Sequence, residues 1–137
     1  MKMLSFFNIA THFCILDGHT PTPCDTWEAW QAWMFGAGSD ERVRVAQTTC
    51  VAPTREAESS RVWISTVFLG LARSGAYFET MVFGGPEHET TQQYSSWDEA
   101  LAGHQALVTR HLQAGYALEP HAVEGGPYPC ATERESE

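Results

Sequence analysis

Three groups of side chains in this 137-residue sequence have the types and spacing to do chemistry. The first is Asp17, His19 and Cys24, with His12 and Cys14 close by in sequence. Carboxylate, imidazole and thiolate are groups that zinc accepts. Their spacing matches no standard zinc finger, and Pro21 and Pro23 stiffen the chain between them. The plainer reading is a turn at Asp17-Gly18, a surface His19 and a Cys24 that behaves as a small apolar residue. No metal is therefore expected, and Asp17, His19 and Cys24 stand only as candidate ligands. The second group is His104 with Ser65 and Glu79, which on paper satisfies serine–histidine–carboxylate chemistry. No G-x-S-x-G elbow presents the serine, which lies inside an apolar run. The competing role for His104 is a buried histidine satisfied by a hydrogen bond from the strands beneath it, with Ser65 or Glu79 as the partner. No catalytic residue is assigned beyond these three candidates. The third group is acidic: Glu87, Glu89, Asp98 and Glu99, followed by Glu119, Glu124, Glu133, Glu135 and Glu137. Such a surface either solvates the chain or meets a basic partner, where complementary charge speeds association and selects the partner.

Seventeen acidic and eight basic residues leave a net charge of -9. The charge is uneven: -3 over residues 1–60, +1 over 61–86 and -7 over 87–137. An acidic chain lacks the basic face that grips phosphates, so direct nucleic-acid binding is not expected. No apolar run has the length of a membrane span. No Lys-Ser/Thr follows Gly84-Gly85-Pro86, so no phosphate loop is present, and no cofactor is expected. The four cysteines, Cys14, Cys24, Cys50 and Cys130, form no C-x-x-C pair and are expected as thiols in a reducing compartment. The N-terminus carries no A-x-A-like cleavage site, which points to a cytoplasmic protein.

The elements that must position these groups are legible in outline. Phe13 to Leu16 is a short apolar run ending in the Asp17-Gly18 turn, and Thr20-Pro21-Thr22-Pro23 is a stiff extended connector. Asp25 with Glu28 reads as a capping box opening a helix over 26–35, whose apolar face carries Trp27, Trp30 and Met34 with Trp33 alongside. That face either packs in the core or forms an aromatic stripe for a partner. Gly36 and Gly38 end the helix, and Ser39 to Glu41 is a polar connection. Arg42-Val43-Arg44-Val45-Ala46 alternates as the start of a strand that continues toward Val51, and residues 54–60 form a connector. Residues 62–71 and 76–83, joined by Ala72-Arg73-Ser74-Gly75, form a β-hairpin. Both hairpin faces are apolar, as in a sheet covered on both sides. Glu87 to Tyr94 is a polar loop. Ser96 caps a second helix over 97–113 with Glu99 as its reciprocal partner. Trp97, Leu101, His104, Val108, His111 and Leu112 form one face of that helix, and Ala100 and Leu107 lie at its border. Gly115 stops the helix.

The hairpin block, Ile64-Ser65-Thr66-Val67-Phe68-Leu69-Gly70-Leu71 and Phe78-Glu79-Thr80-Met81-Val82-Phe83-Gly84-Gly85, resembles one that recurs in a family of small uncharacterised phage and prophage proteins. The resemblance extends to Leu16-Asp17-Gly18-His19, Pro23-Cys24, Arg44-Val45-Ala46, Tyr94-Ser95-Ser96-Trp97 and Gly103-His104. It covers roughly residues 15–110, although the hairpin turn here is shorter than the family's. It implies a phage origin and carries no activity with it.

The expected architecture is α+β, with an antiparallel sheet of three to four strands packed against two helices. A single domain over residues 1–114 is expected, with 1–11 as an N-terminal extension and 115–137 as an acidic tail. The expected function is a small acidic accessory protein that binds the basic surface of a host protein or nucleoprotein complex in the bacterial cytoplasm. It would act against host defence in the manner of an anti-CRISPR inhibitor, through Glu87, Glu89, Asp98 and Glu99. The alternatives are a small metal-dependent or histidine-assisted hydrolase and a minor virion component.

Overall fold

The computed structural model describes residues 13–53, 61–73 and 75–119. The N-terminal extension, His12, the 54–60 connector, Cys130 and the tail glutamates after Glu119 lie outside the described residues. In chain order the elements are β1 (Cys14–Asp17), β2 (Thr20–Pro23), α1 (Trp27–Phe35), α2 (Ser39–Val43), β3 (Arg44–Val51), β4 (Arg61–Arg73), β5 (Ala76–Phe83), β6 (Thr91–Tyr94), α3 (Trp97–Gln113) and β7 (Ala117–Leu118).

The hairpin block is the middle of an antiparallel sheet ordered β6-β5-β4-β3-β7. Its β-branched and aromatic residues suit the pleated surface, and Trp63 faces Phe83 across the ladder while Phe68 faces Phe78. The expected α+β class holds, with corrections. The main sheet has five strands instead of three or four, β1 and β2 form a separate two-stranded ribbon, and a short third helix, α2, is present. β6 occupies the end of the expected polar loop. Its sequence, Thr-Gln-Gln-Tyr, lacks apolar alternation because it lies on the sheet edge. Arg42 and Val43 close α2, so the third strand starts at Arg44. Ala117 and Leu118, past the end of α3, add a short strand beside Val51 and Cys50.

Both helix caps are local events, each with one contact displaced by a residue from the expected pattern. Thr26, not Asp25, caps α1, with its hydroxyl accepting from the Ala29 amide at 3.0 Å. Ser96 caps α3 as expected, by accepting from the Glu99 amide at 3.1 Å. The Glu99 carboxylate, however, accepts from the amide and hydroxyl of Ser95. The C-terminus of α1 is closed by Arg42. Its guanidinium donates to the carbonyls of Ala32, Trp33 and Ala37 and lies 5.4 Å from the centroid of the Trp33 ring.

Side-chain alternation sorts the sheet into two faces. Val62, Ile64, Thr66 and Phe68 on β4, with Phe78, Thr80 and Val82 on β5, are buried beneath α3. From α3, Ala100, His104, Leu107 and His111 are buried. The helix face is therefore centred on the residues expected at its border, and Leu112 is exposed. Trp33 of α1 meets Phe68 edge-on, and Leu16 and Cys14 of β1 join the same cluster. Expected cover on both sides of the sheet is seen on this one side: among the described residues no helix lies on the other face, whose side chains are half-buried apart from the buried Thr49. Fully burying one large apolar side chain contributes about 1.5–3 kcal/mol, so this layer, with Phe68, Phe78, Ile64, Leu107, Val62 and Val82 all buried, dominates the stability.

Gly70 lets α1 seat on the sheet. It has φ +79 where the β4–β5 register shifts, and its carbonyl accepts from the Trp30 indole at 2.9 Å. A Cβ there would lie 2.6 Å from the Met34 sulfur. Gly70→Ala should therefore lose roughly 2–3 kcal/mol, combining a left-handed backbone penalty with overpacking. Gly75→Ala, at φ +85 in open space, should lose only the backbone part, about 1–2 kcal/mol. Urea titration of the two variants tests this, and equal losses would show that the Met34 contact is immaterial.

Candidate functional site

His104 is brought to hydroxyls, not to a catalytic pair. Its Nε2 lies 2.8 Å from Thr48 Oγ1 and its Nδ1 2.8 Å from Thr66 Oγ1, and Thr66 in turn bonds Thr80. Each link needs one proton, and a neutral ring in either tautomer satisfies the chain Thr48–His104–Thr66–Thr80. The expected partners Ser65 and Glu79 are excluded by parity. They occupy the odd positions of β4 and β5, whose side chains face away from α3. There Ser65 accepts from Gln47 and Glu79 from Gln93. The Ser65, His104 and Glu79 constellation is therefore not assembled. Burial pushes the His104 pKa down to about 4, so the ring is neutral near pH 7 and shielded from solvent.

The candidate metal group is also dispersed. Asp17 and Thr20 close the β1–β2 turn. The His19 ring is stacked on Trp97, with centroids 3.6 Å apart and planes within 1°, which ties the ribbon to the start of α3. Cys24 lies beyond β2, where its amide donates to the Phe13 carbonyl. Cys14 is buried, with its thiol pKa raised by desolvation and then by Cys24. Among the described residues no three metal-type side chains converge, and no disulfide joins Cys14, Cys24 or Cys50.

The four acidic candidates divide by role. Glu87 forms a bidentate pair with Arg110, at 2.9 and 2.6 Å, and the hydrogen bond from Arg110 holds its carboxyl below the usual range. Glu99 is engaged at the start of α3 with Ser95. Asp98, in the first turn of α3, and Glu89 are exposed, and Glu89 lies near His88 with Nε2–O 3.4 Å.

The arginines carry a signal that composition conceals. Arg42 is bound by carbonyls, Arg110 by Glu87, and Arg61 by Glu119. Arg44 is half-buried, and its Nε has no partner among the described residues. By contrast Asp17, Asp25, Glu28, Asp40, Glu41, Glu89 and Asp98 are exposed. Counting charges along the chain misses this, because pairs such as Arg61–Glu119 join residues far apart in sequence.

His111 is a second buried histidine. Its Nδ1–H donates to the Leu107 carbonyl at 2.9 Å, and its Nε2 has no hydrogen-bond partner among the described residues. The aromatic side of α1 is the other feature whose role differs from expectation. Trp30 is buried, whereas Trp27 and Phe35 are 51% and 68% exposed.

No family model, no curated protein and no solved structure matches this chain.

Proposed function

We propose that the chain is a small accessory protein, of phage or prophage origin, that acts by binding the basic surface of a host protein or nucleoprotein complex. The target class suggested by such a setting is a defence or nucleic-acid-handling assembly in the bacterial cytoplasm, which the protein would inhibit by occupying its basic groove. One observation carries this reading. The described arginines Arg42, Arg61 and Arg110 are engaged within the chain, while the carboxylates of Asp25, Glu28, Glu89 and Asp98 stay exposed. A surface of that kind attracts cationic partners and repels its own copies. The phage setting rests on the resemblance of the hairpin block. The hydrolase alternative loses support from His104, which is held by threonines under α3 with no carboxylate bonded to it among the described residues.

The test is a pull-down from the infected host followed by affinity measurement at increasing salt. Binding should weaken about tenfold or more between low and physiological salt, because exposed charge pairs are screened beyond about 8–10 Å. Glu89→Gln with Asp98→Asn should weaken it without altering the fold, since neither carboxylate caps a helix or pairs with an arginine. Glu87 and Glu99 are poorer probes, because replacing them also removes the Arg110 pair and the Ser95 contact. Salt-insensitive binding, or unchanged affinity in the Glu89/Asp98 variant, overturns the proposal.

A further inference from the structure

Helix α1 exposes a row that the core does not use. At 100° per residue, Trp27, Gln31 and Phe35 follow one another at i, i+4 and i+8 along one side of the helix. Trp30 and Met34 lie on the neighbouring inward side, where Trp30 is buried and bonded to Gly70. The two outer rings rest on that buried layer. Trp27 lies 5.2 Å from Trp30 and edge-on to Phe13 at 5.5 Å, and Phe35 is edge-on to Trp30 at 5.7 Å. They are therefore positioned by packing yet largely exposed, at 51% and 68%. A pre-positioned aromatic pair with an apolar floor is the usual form of an interface anchor.

The exposed charges flanking the row in sequence are acidic. Glu28 lies beside Phe35 on the helical wheel, Asp25 precedes the cap, and both are exposed. Arg42, the next base along the sequence, is fixed on the carbonyls of Ala32, Trp33 and Ala37 at the C-terminus of the helix. A second copy of the chain would bring Asp25 and Glu28 against their own kind. A partner with apolar side chains flanked by cations would meet both parts of the face.

We propose that the Trp27–Gln31–Phe35 row of α1, edged by Asp25 and Glu28, is a docking face for a basic amphipathic helix of a partner protein. This rests on the reading that the chain acts by binding a basic partner, and it locates the apolar anchor of that contact on α1, apart from Glu89 and Asp98. Partner leucine-type side chains would pack on Trp27 and Phe35, and Lys or Arg would pair with the two carboxylates.

The test uses the full chain, ¹⁵N-labelled, titrated with a synthetic amphipathic peptide of leucine and lysine, and with its leucine–glutamate counterpart. The leucine–lysine peptide should shift the Trp27 indole and the α1 amides, and the leucine–glutamate peptide should not. Trp27→Gln with Phe35→Gln should weaken binding at least tenfold, with an unchanged circular dichroism spectrum. Glu28→Gln, which touches no packing, should weaken it severalfold and reduce its salt dependence. Shifts confined to residues around Glu89 and Asp98, indifferent to Trp27 and Phe35, would overturn this docking face while leaving the acidic-surface reading intact. Absence of binding by either peptide would overturn the docking face, whereas the host pull-down decides the wider reading separately. Self-association abolished by Trp27→Gln would also overturn it, in favour of a second copy on the row.

Discussion

Replacing His104 by alanine should cost about 3–5 kcal/mol, and replacing it by leucine should cost clearly less. Alanine leaves a cavity under α3 and removes two hydrogen bonds at once. Leucine refills most of the volume and leaves Thr66 bonded to Thr80, so the unsatisfied loss falls mainly on Thr48, which is half-buried. The histidine also has a place in the layering of the core. One apolar cluster contains Phe68, Phe78 and Ala100, the other Val62, Ile64, Val82 and Leu107. Thr66, Thr80 and His104 lie between them on β4, β5 and α3 respectively. A slip of α3 along the sheet would place the imidazole on an apolar cluster and leave the Thr48 and Thr66 hydroxyls without it. The polar layer thus disfavours alternative seatings of the helix.

The same residue sets an acid sensitivity with a definite sign. Burial lowers its pKa in the fold from the ordinary histidine value of 6.5 to about 4. The unfolded chain therefore binds the proton more readily, and protonation favours unfolding. The contribution is fully present above pH 6.5 and is lost as the pH falls through the window down to about 4. At 1.36 kcal/mol per pK unit the total is about 3 kcal/mol. Urea titrations from pH 7 to pH 4 should show this loss in the parent and not in His104→Leu, so the two curves converge at the acid end. Parallel curves would mean that the ring is hydrated or charged in the fold.

What could be read from the sequence follows from the range of the interactions. The β4–β5 hairpin, α1 and α3 were legible, because β-branched runs, turn residues and the Ser96 cap act over a few positions. The edge strands were not. Thr91–Tyr94 and Ala117–Leu118 have no strand signature of their own and are held by ladder partners already in place. The partner of His104 was hidden for a different reason. Odd positions of the hairpin carry Trp63, Val67, Leu69, Met81 and Phe83, and even positions carry Val62, Ile64, Phe68, Phe78 and Val82. With both faces apolar, alternation says that Ser65 and Thr66 diverge but not which one lies under the helix. Thr48 is 56 residues from His104 and only the β3–β4 register brings it near. In α1 the spacing of the tryptophans gives one face, and the split between buried Trp30 and exposed Trp27 depends on where Gly70 admits the helix.

Gly84→Ala should be the most damaging single-methyl addition in the domain, with a loss above about 3 kcal/mol. Three terms act together. Its φ of +93 lies in the region that costs an L-residue about 1–2 kcal/mol. A Cβ would overlap the backbone carbonyl oxygen of Arg61, and a carbonyl at the start of the central strand β4 cannot swing aside as a side chain can. Its amide also donates to His88 Nδ1 at 2.8 Å, fastening the turn that brings the Glu89 amide within 2.7 Å of the Val82 carbonyl. Displacing Gly84 therefore loosens the exit of β5 and the entry to β6 together. Gly85→Ala, at φ +74, meets the Val62 methyl at 2.5 Å. That contact is with a side chain, although a fully buried one, so its loss should be smaller. Glu89 has φ +69, the sole positive φ among the described non-glycine residues, so Glu89→Gly should relieve strain and offset part of the Gly84→Ala loss in the double variant. Urea midpoints for the three single variants and the pair measure this. A Gly84→Ala loss below about 1 kcal/mol would show that β4 yields at Arg61, and that the turn, rather than the strand, is the rigid partner in this contact.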